Sequence, residues 1–223
     1  MGVGHHGDGL ASRCVVPLLS WGIIAIARLT TAMQANWAGI DPVSDRSRIY
    51  FGNHVSHGDF VLIWSVLPPA QRRASRPVAG ADYWRADRIR RFLGERVFNG
   101  VLIDRDPRRR GADPIGEMAR ALDEGASLIL FPEGTRNMGD ADLLPFKSGL
   151  FRLALARPEV DLVPVWIDNL NRVLPKGALI PVPLMCRVTF GAPLRAGTGE
   201  TKAAFLDRAR AALLALRPRR EAA

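Results

Sequence analysis

The residues best suited to chemistry lie in two short polar blocks, each directly after an apolar stretch. The first block, with the sequence NHVSHGD, runs from Asn53 to Asp59 and contains His54. A histidine with a carboxylate partner is a general-base pair, because the carboxylate fixes the tautomer of the imidazole and stabilises the imidazolium that forms. His54 and Asp59 are therefore the candidate catalytic residues.

The spacing of this pair restricts the backbone between its two members. Side chains five residues apart lie about 140° apart on a regular helix, so His54 and Asp59 can meet only across a tight, non-helical turn. Gly58 would permit such a turn, and Ser56 would help to hold it. A histidine followed by an aspartate, with four residues between them, is a weakly specific pattern on its own.

The second block has the sequence FPEGTR and runs from Phe131 to Arg136 after another apolar stretch. Pro132 ends that stretch, and Gly134 lets the backbone approach a ligand closely. Thr135 offers a hydroxyl, and Arg136 offers a planar guanidinium that matches phosphate. A plain surface turn would be the better interpretation if this block stood alone.

A third polar position follows the apolar segment Gly100–Ile103. Arg105 is a candidate second arm of a phosphate clamp, because a guanidinium pairs with phosphate through two parallel hydrogen bonds. The neighbouring triplet Arg108–Arg110 is more typical of a solvated or membrane-facing patch. Arg105 and Arg136 together indicate a phosphorylated ligand.

Strands and helices alternate from Arg48 onward, which is typical of an α/β fold with a twisted, largely parallel sheet flanked by helices. Ligands of such folds bind outside the carboxyl ends of the strands, so the polar blocks are expected to share one edge. The predicted strands are Arg48–Gly52, Pro77–Gly80, Asn99–Ile103, Ser127–Phe131, Val160–Ile167 and Met185–Phe190. The predicted helices are Asp59–Leu67, Tyr83–Leu93, Pro114–Asp123, Ser148–Ala156 and Glu200–Leu216.

Residues 1–40 are predicted to be a flexible terminus and a membrane-interfacial helical segment, and residues 41–223 a single catalytic domain. The apolar run Cys14–Ala27 would form a helix of roughly 21 Å, shorter than the hydrocarbon core of about 30 Å. Trp21 favours the headgroup level, so the segment is expected to dip into one leaflet. A buried core helix and a signal peptide are the alternatives, although the basic region of a signal peptide would be Arg13 alone.

The composition supports a folded protein that binds phosphates. The chain has 223 residues, 48% of them hydrophobic, which is enough apolar surface for a core. Its net charge of +9 indicates attraction to lipid headgroups, nucleic acid or a small phosphorylated ligand, although 28 of the 31 basic residues are arginines spread along the chain. Cys14 and Cys186 have no zinc or disulfide spacing, and no metal is expected.

In combination, these blocks resemble the glycerolipid acyltransferase family that includes the 1-acyl-sn-glycerol-3-phosphate acyltransferases. The NHxxxxD block of the family matches Asn53–Asp59, and its FPEGTR block matches Phe131–Arg136 in full. Its second block, which ends in arginine, matches Gly100–Arg105, and a weaker fourth block matches Leu162–Val165. The matches keep the order of the family and cover roughly residues 48–167, the core of an acyltransferase domain over residues 41–223.

The resemblance implies transfer of a fatty acyl group from acyl-CoA or acyl carrier protein to the free hydroxyl of lysophosphatidate, giving phosphatidate in phospholipid biosynthesis. His54 would take the hydroxyl proton and Asp59 would orient His54. The chain has no GxSxG motif, which favours direct transfer over an acyl-enzyme. The acceptor would be held by Arg105, Glu133, Gly134, Thr135 and Arg136, with Lys147 a weaker candidate.

The resemblance also implies partners and a location. We expect no cofactor beyond the thioester co-substrate, a lysophospholipid acceptor, an anionic membrane surface, no nucleic acid, and association with the cytoplasmic face of the inner membrane. Glycerol 3-phosphate, a lyso amino-acid lipid or another lysophospholipid remain open as acceptors. Thioester hydrolysis is a further alternative, and so is a non-catalytic membrane or nucleic-acid binding protein, which would not need His54.

Overall fold

A central sheet organises the chain. The computed structural model describes residues 15–25, 33–56, 58–104, 113–168 and 186–218. Seven strands in these residues form one sheet in the order β1-β7-β6-β2-β5-β3-β4. The strands are β1 (Gln34–Trp37), β2 (Arg48–Gly52), β3 (Ser75–Gly80), β4 (Val101–Ile103), β5 (Ser127–Leu130), β6 (Asp161–Asp168) and β7 (Arg187–Phe190).

The strands at the centre of the sheet run in one direction. β2 pairs in parallel with both β5 and β6, and β3 pairs in parallel with β5 and β4. β7 pairs antiparallel with β6, and β1 is parallel to β7. The carboxyl ends of β2, β3, β4, β5 and β6 therefore lie at one edge, and this confirms the prediction of a largely parallel α/β sheet.

Helices connect the strands in the order expected of such a fold. Residues 15–25 form α1, and one turn of π-helix covers Leu93–Val97. The other helices in the described residues are α2 (Asp59–Val66), α3 (Pro69–Ala74), α4 (Ala81–Trp84), α5 (Arg88–Phe92), α6 (Pro114–Asp123), α7 (Gly149–Ala156) and α8 (Lys202–Leu214).

Both faces of the sheet are covered, and each buries its own apolar cluster. Successive side chains of a strand point to opposite faces, so Tyr50 faces one cluster while Ile49 and Phe51 face the other. Helices α6, α7 and α8 cover the Ile49 face. The Tyr50 face is covered by α2 and by apolar residues of α1, α4 and the π-helix. Two covered faces explain the continuous apolar runs of β2, β5 and β6.

The observed elements differ from the predicted ones in three places. The predicted helix Tyr83–Leu93 is divided, because Asp87 has an extended backbone and its carboxylate accepts a hydrogen bond from Arg90 N at 2.8 Å. Aspartate caps a helix better than it continues one, so a new helix starts after Asp87. The strand β1 and the helix α3 were not predicted. Because β1 belongs to the sheet, the sheet extends to the N-terminal side of the predicted boundary at residue 40.

The helix α1 has one end packed and one end exposed. Ile23 and Ile24 pack against the Tyr50 cluster, while Leu18 and Trp21 are 70% and 73% exposed. A fully buried core helix is therefore not what the described part of this segment forms. In the described residues, the model contains no helix with the length and apolar content needed to cross a bilayer.

Candidate active site

The first polar block forms a tight turn between β2 and α2, and this turn brings the predicted pair together. Nδ1 of His54 lies 2.8 Å from Oδ2 of Asp59. Asp59 is the first residue of α2, and its backbone N–H donates to the carbonyl of Ser56 at 3.3 Å. The predicted contact across a non-helical turn is therefore present in the structure.

Asp59 is the centre of this turn. Its Oδ2 also accepts hydrogen bonds from the backbone N–H of Val55 at 2.7 Å and of Ser56 at 2.9 Å. Because Oδ2 already acts as an acceptor, Nδ1 of His54 is assigned as the donor, and the lone pair of the imidazole lies on Nε2. Asp59 is 0% exposed, whereas the His54 side chain is 18% exposed. The free nitrogen can therefore receive a proton from a bound substrate.

An aromatic ring packs against the face of the imidazole. The rings of His54 and Phe131 stack with centroids 4.3 Å apart and planes 13° apart. Phe131 follows β5, the neighbour of β2 in the sheet, so the stack joins the first polar block to the second. Stacking and the bond to Asp59 together restrict both torsions of the His54 side chain.

Asn53 attaches the same turn to the other neighbour of β2. Its side-chain amide donates to the carbonyl of Ile167 at 3.0 Å, and its side-chain carbonyl accepts from Ile167 N at 2.8 Å. Asn53 is buried, so both groups would be costly to leave unpaired. This positioning role was missed from the sequence, because it depends on a contact with β6.

The tight turn is present, but it does not depend on the conformational freedom of Gly58. Gly58 has φ −81° and ψ −9°, a right-handed conformation that any residue adopts. The nearest atom to a side chain added there would be the Ser56 hydroxyl, at an ordinary 3.7 Å. That hydroxyl accepts a hydrogen bond from Gly58 N at 3.2 Å, so Ser56 stabilises the turn as expected.

Glu133 is buried, and both of its carboxylate oxygens bind backbone groups of the protein. It is 1% exposed, and its two carboxylate oxygens accept hydrogen bonds from His54 N at 2.9 Å and from Leu144 N at 2.8 Å. Burial raises the pKa of Glu133 above its usual range, although these two hydrogen bonds oppose the rise. Binding of substrate by Glu133 stays a prediction, and its geometry favours a role in positioning the backbone of His54.

The last three residues of the second block are exposed to solvent. Gly134 has φ +69°, which favours glycine, and its N–H donates to the carbonyl of Phe131 at 3.0 Å. Thr135 and Arg136 are exposed. Within the described part of the chain, the guanidinium of Arg136 has neither a hydrogen bond nor an ion pair. Its donors are free for a ligand.

The segment after this block closes around it. Asn137 N donates to the carbonyl of His54 at 2.6 Å, and Lys147 N donates to the carbonyl of Pro132 at 2.7 Å. The Lys147 side chain also packs beside Gly134, with its Cγ 3.1 Å from where a β-carbon would lie. Lys147 is therefore adjacent to the open loop, and Asn137 is a second positioning residue that the sequence did not reveal.

Helix α8 holds this segment from the other side. Arg210 donates to the carbonyl of Leu143 at 3.0 Å, and Arg217 pairs with Asp142. Leu143 is buried next to Leu144, the residue that binds Glu133. The C-terminal helix thus supports the loop that carries Arg136.

Two of the predictions lie outside what the structure describes. Arg105 and the triplet Arg108–Arg110 are outside the described residues, so the second arm of the phosphate clamp stays a prediction. In the described ranges no group of three or more histidine, cysteine or acidic side chains could hold a metal ion. The expectation that no metal or cofactor is needed likewise stays a prediction.

The chain matches a protein-family model over most of its sheet. The model described as Acyltransferase matches residues 34–168, which include β1 to β6 and both polar blocks. The match begins at β1, in agreement with the extent of the sheet.

Curated relatives align with the same region. A 1-acyl-sn-glycerol-3-phosphate acyltransferase of Haemophilus influenzae is 32% identical over 137 residues, which are 56% of this chain and 51% of that protein. The Escherichia coli protein of the same name is 30% identical over 146 residues, 60% of this chain and 54% of that one. The chain therefore spans about half the length of these relatives.

The fold also has a counterpart among solved structures. The 1-acyl-sn-glycerophosphate acyltransferase of Thermotoga maritima superposes with a TM-score of 0.68 and covers 93% of this chain and 83% of its own. The two chains are 21% identical, so this likeness establishes the fold alone.

Proposed function

The chain belongs to the acyltransferase family, and from this premise we propose that it transfers a fatty acyl group from a thioester donor to the free hydroxyl of lysophosphatidate, giving phosphatidate for phospholipid synthesis. The observation that carries the proposal is the contact of 2.8 Å between His54 and a fully buried Asp59. The names of the relatives support the choice of lysophosphatidate.

The chemical step follows from the tautomer of His54. Nε2 takes the proton of the acceptor hydroxyl as the hydroxyl oxygen attacks the thioester carbonyl. The carbon–sulfur bond then breaks, the leaving thiolate takes that proton from the imidazolium, and the products are an ester and a free thiol. Asp59 holds the imidazole and stabilises its cationic form between the two proton transfers.

The open loop supplies the groups for the acceptor. Arg136 would bind the phosphate through its planar donors, and Thr135 and the backbone at Gly134 would contact the phosphate or the glycerol. Lys147, which packs beside Gly134, would add a second positive charge. Arg105 is proposed as a further phosphate ligand from its sequence position alone. Glu133 would act by positioning His54 and Leu144.

Membrane association is part of the proposal. The acceptor is a lipid, and the exposed Leu18 and Trp21 of α1 are suited to the interface of one leaflet. We expect the enzyme at the cytoplasmic face of the inner membrane, where soluble donors are present. The donor is acyl-CoA or acyl carrier protein, and no other cofactor is required.

The test is a matrix of donors and acceptors. The purified chain is given oleoyl-CoA or oleoyl acyl carrier protein with lysophosphatidate, with glycerol 3-phosphate, or with a lyso amino-acid lipid, and both ester and free thiol are measured. The proposal expects ester from lysophosphatidate, with thiol released in equal amount. Thiol release without ester would indicate a hydrolase, and ester from another acceptor alone would keep the chemistry but replace the substrate.

A further inference from the structure

The short helix α5 exposes an apolar side chain among arginines. None of its residues is buried, and Ile89 is 73% exposed. A single exposed isoleucine is ordinary on a protein surface. Its surroundings are not, because residues 85–96 contain five arginines and two acidic residues. The arginines are Arg85, Arg88, Arg90, Arg91 and Arg96.

The acidic residues leave part of this charge unmatched. Glu95 pairs with Arg85 and Arg91 at 3.5 and 3.2 Å, and Asp87 pairs with Arg90 at 3.1 Å. In the part of the chain that the structure describes, Arg88 and Arg96 form no ion pair. We name the surface formed by Ile89 and these five arginines the α5 patch. It combines one exposed apolar side chain with an excess of positive charge.

The α5 patch shares one face of the sheet with the exposed apolar side chains of α1. Trp84, Phe92 and Leu93, on either side of it in the chain, pack against the Tyr50 cluster. Ile23 and Ile24 of α1 pack against the same cluster, and α1 exposes Leu18 and Trp21. Both helices therefore cover one face of the sheet.

The α5 patch and the reaction centre are connected through the same face of the sheet. Helices α4 and α5 follow β3, whose carboxyl end lies at the same edge as the turn of His54. Phe131, which stacks on His54, packs against the Tyr50 cluster as well. The same apolar cluster therefore joins the region of α5 to the ring that stacks on His54.

We propose that the α5 patch is a second membrane contact, in which Ile89 enters the interface of an anionic bilayer while the arginines bind lipid phosphates. Amphipathic helices bind membranes in this way when they carry basic residues beside exposed apolar side chains. The aliphatic parts of the arginines would pack against the acyl boundary and their guanidinium groups would reach the headgroups. Together with α1, this contact would fix the orientation of the active site over a leaflet.

The test measures binding of the full-length chain to vesicles without any acyl donor or acceptor, so it is independent of the proposed reaction. Vesicles contain phosphatidylcholine alone or phosphatidylcholine with phosphatidylglycerol, and the bound fraction is measured by sedimentation. Removal of one basic residue near an anionic surface costs about fivefold in binding, and charge reversal costs more. Arg88→Glu should therefore weaken binding to the anionic vesicles at least about fivefold.

Matched variants on the opposite layer serve as controls. Arg152 and Leu155 are exposed residues of α7, which covers the Ile49 face. Arg152→Glu changes the net charge as much as Arg88→Glu does, and we expect less than a twofold effect. Ile89→Ser should weaken binding about threefold or more, whereas Leu155→Ser should leave it unchanged. Equal thermal midpoints would show that all four variants fold.

Two results would overturn the proposal. Equal loss from the α5 and α7 variants would mean that only total charge matters. Unchanged vesicle binding by both α5 variants would also overturn the proposal. If turnover of these variants were then lost with acyl carrier protein and kept with acyl-CoA, the α5 patch would dock an acidic donor protein instead of a bilayer. Weaker binding of both α5 variants beside unchanged α7 variants would support the membrane contact.

Discussion

The turn from Asn53 to Asp59 is closed by its own hydrogen bonds, whereas the loop from Gly134 to Arg136 offers its polar groups to solvent. Asp59 is buried and binds His54 and two backbone N–H groups. Arg136 is exposed and has no partner among the described residues. The structure thus contains a restrained histidine and an exposed set of hydrogen-bond donors at the same edge of the sheet.

Under the proposed function, the two regions have different roles. As the proposed general base, His54 must keep its geometry through the reaction. The fold restrains it through hydrogen bonds with Asp59 and Glu133 and a ring stack with Phe131. A group that binds a charged substrate must exchange water for ligand, so it stays accessible. Variants of the turn should therefore change kcat, and variants of the loop should change KM for the acceptor.

The largest effect is expected from Asp59→Asn. The new side-chain amide would donate to Nδ1 of His54, which would move the imidazole proton to Nε2 and remove the base. We expect kcat to fall about 10²- to 10⁴-fold, with a smaller change in acceptor KM. Steady-state kinetics with lysophosphatidate measure both. A change confined to KM would contradict the assignment of the turn to catalysis.

Arg136→Ala should give the opposite pattern. Loss of a hydrogen bond to a charged group costs about 1.5–3 kcal/mol, so acceptor KM should rise about 10- to 100-fold while kcat changes little. Because Arg136 has no partner in the described residues, the thermal midpoint should not move. Arg152→Ala on α7 is the matched control and should leave KM unchanged. A drop in kcat at constant acceptor KM would contradict the assignment of Arg136 to acceptor binding.

Glu133→Gln tests a residue that joins the two regions. Glutamine keeps one acceptor but turns its amide toward the other backbone N–H, which costs about 1–3 kcal/mol of stability. For a chain of this size the thermal midpoint should fall by about 2–4 °C for each kcal/mol. A positioning role predicts a lower kcat together with the lower midpoint. If Glu133 bound substrate directly, acceptor KM would rise and the midpoint would stay constant.

The smallest effect on catalysis is expected from a carboxylate outside both regions. Arg208 and the N–H of Gly197 hold the pKa of Glu200 at about 2, below its usual value of 4.5. A lowered pKa contributes stability above the unfolded value and loses it as the pH falls toward the folded value. Glu200→Gln should therefore lower the urea midpoint at pH 7, and the difference from wild type should shrink between pH 4.5 and 2. Acyl transfer at pH 7 should not change, and a loss of turnover would show that the two regions are not the whole site.

The parts of this molecule that could be predicted from its sequence depend on local signals. The helix Pro114–Asp123 was predicted with its observed bounds, because Asp113 caps it and Pro114 suits its first turn. The strand Arg48–Gly52 also has a local signal, because it is a short apolar run that follows a loop. The pairing of His54 with Asp59 was accessible because both lie in one block.

The parts that escaped prediction depend on contacts between distant segments. The strand β1 is a short sequence of mixed polarity, QANW, that becomes a strand by pairing with β7 near the other end of the chain. The roles of Asn53 and Glu133 likewise depend on Ile167 and Leu144, which only the fold brings near. Both residues belong to the same sequence blocks as the candidate catalytic and substrate-binding residues. Sequence spacing alone does not show whether a residue in such a block contacts substrate or supports the backbone.

The measurement that tests the central claim most directly is turnover of His54→Ala and His54→Gln with lysophosphatidate and the donor that wild type prefers. The His54 side chain is partly exposed, so both variants should fold with a thermal midpoint near that of wild type. If Nε2 of His54 is the general base, kcat falls at least about 10²-fold in both variants while acceptor KM stays within about threefold. Turnover within about tenfold of wild type in either folded variant would contradict the account.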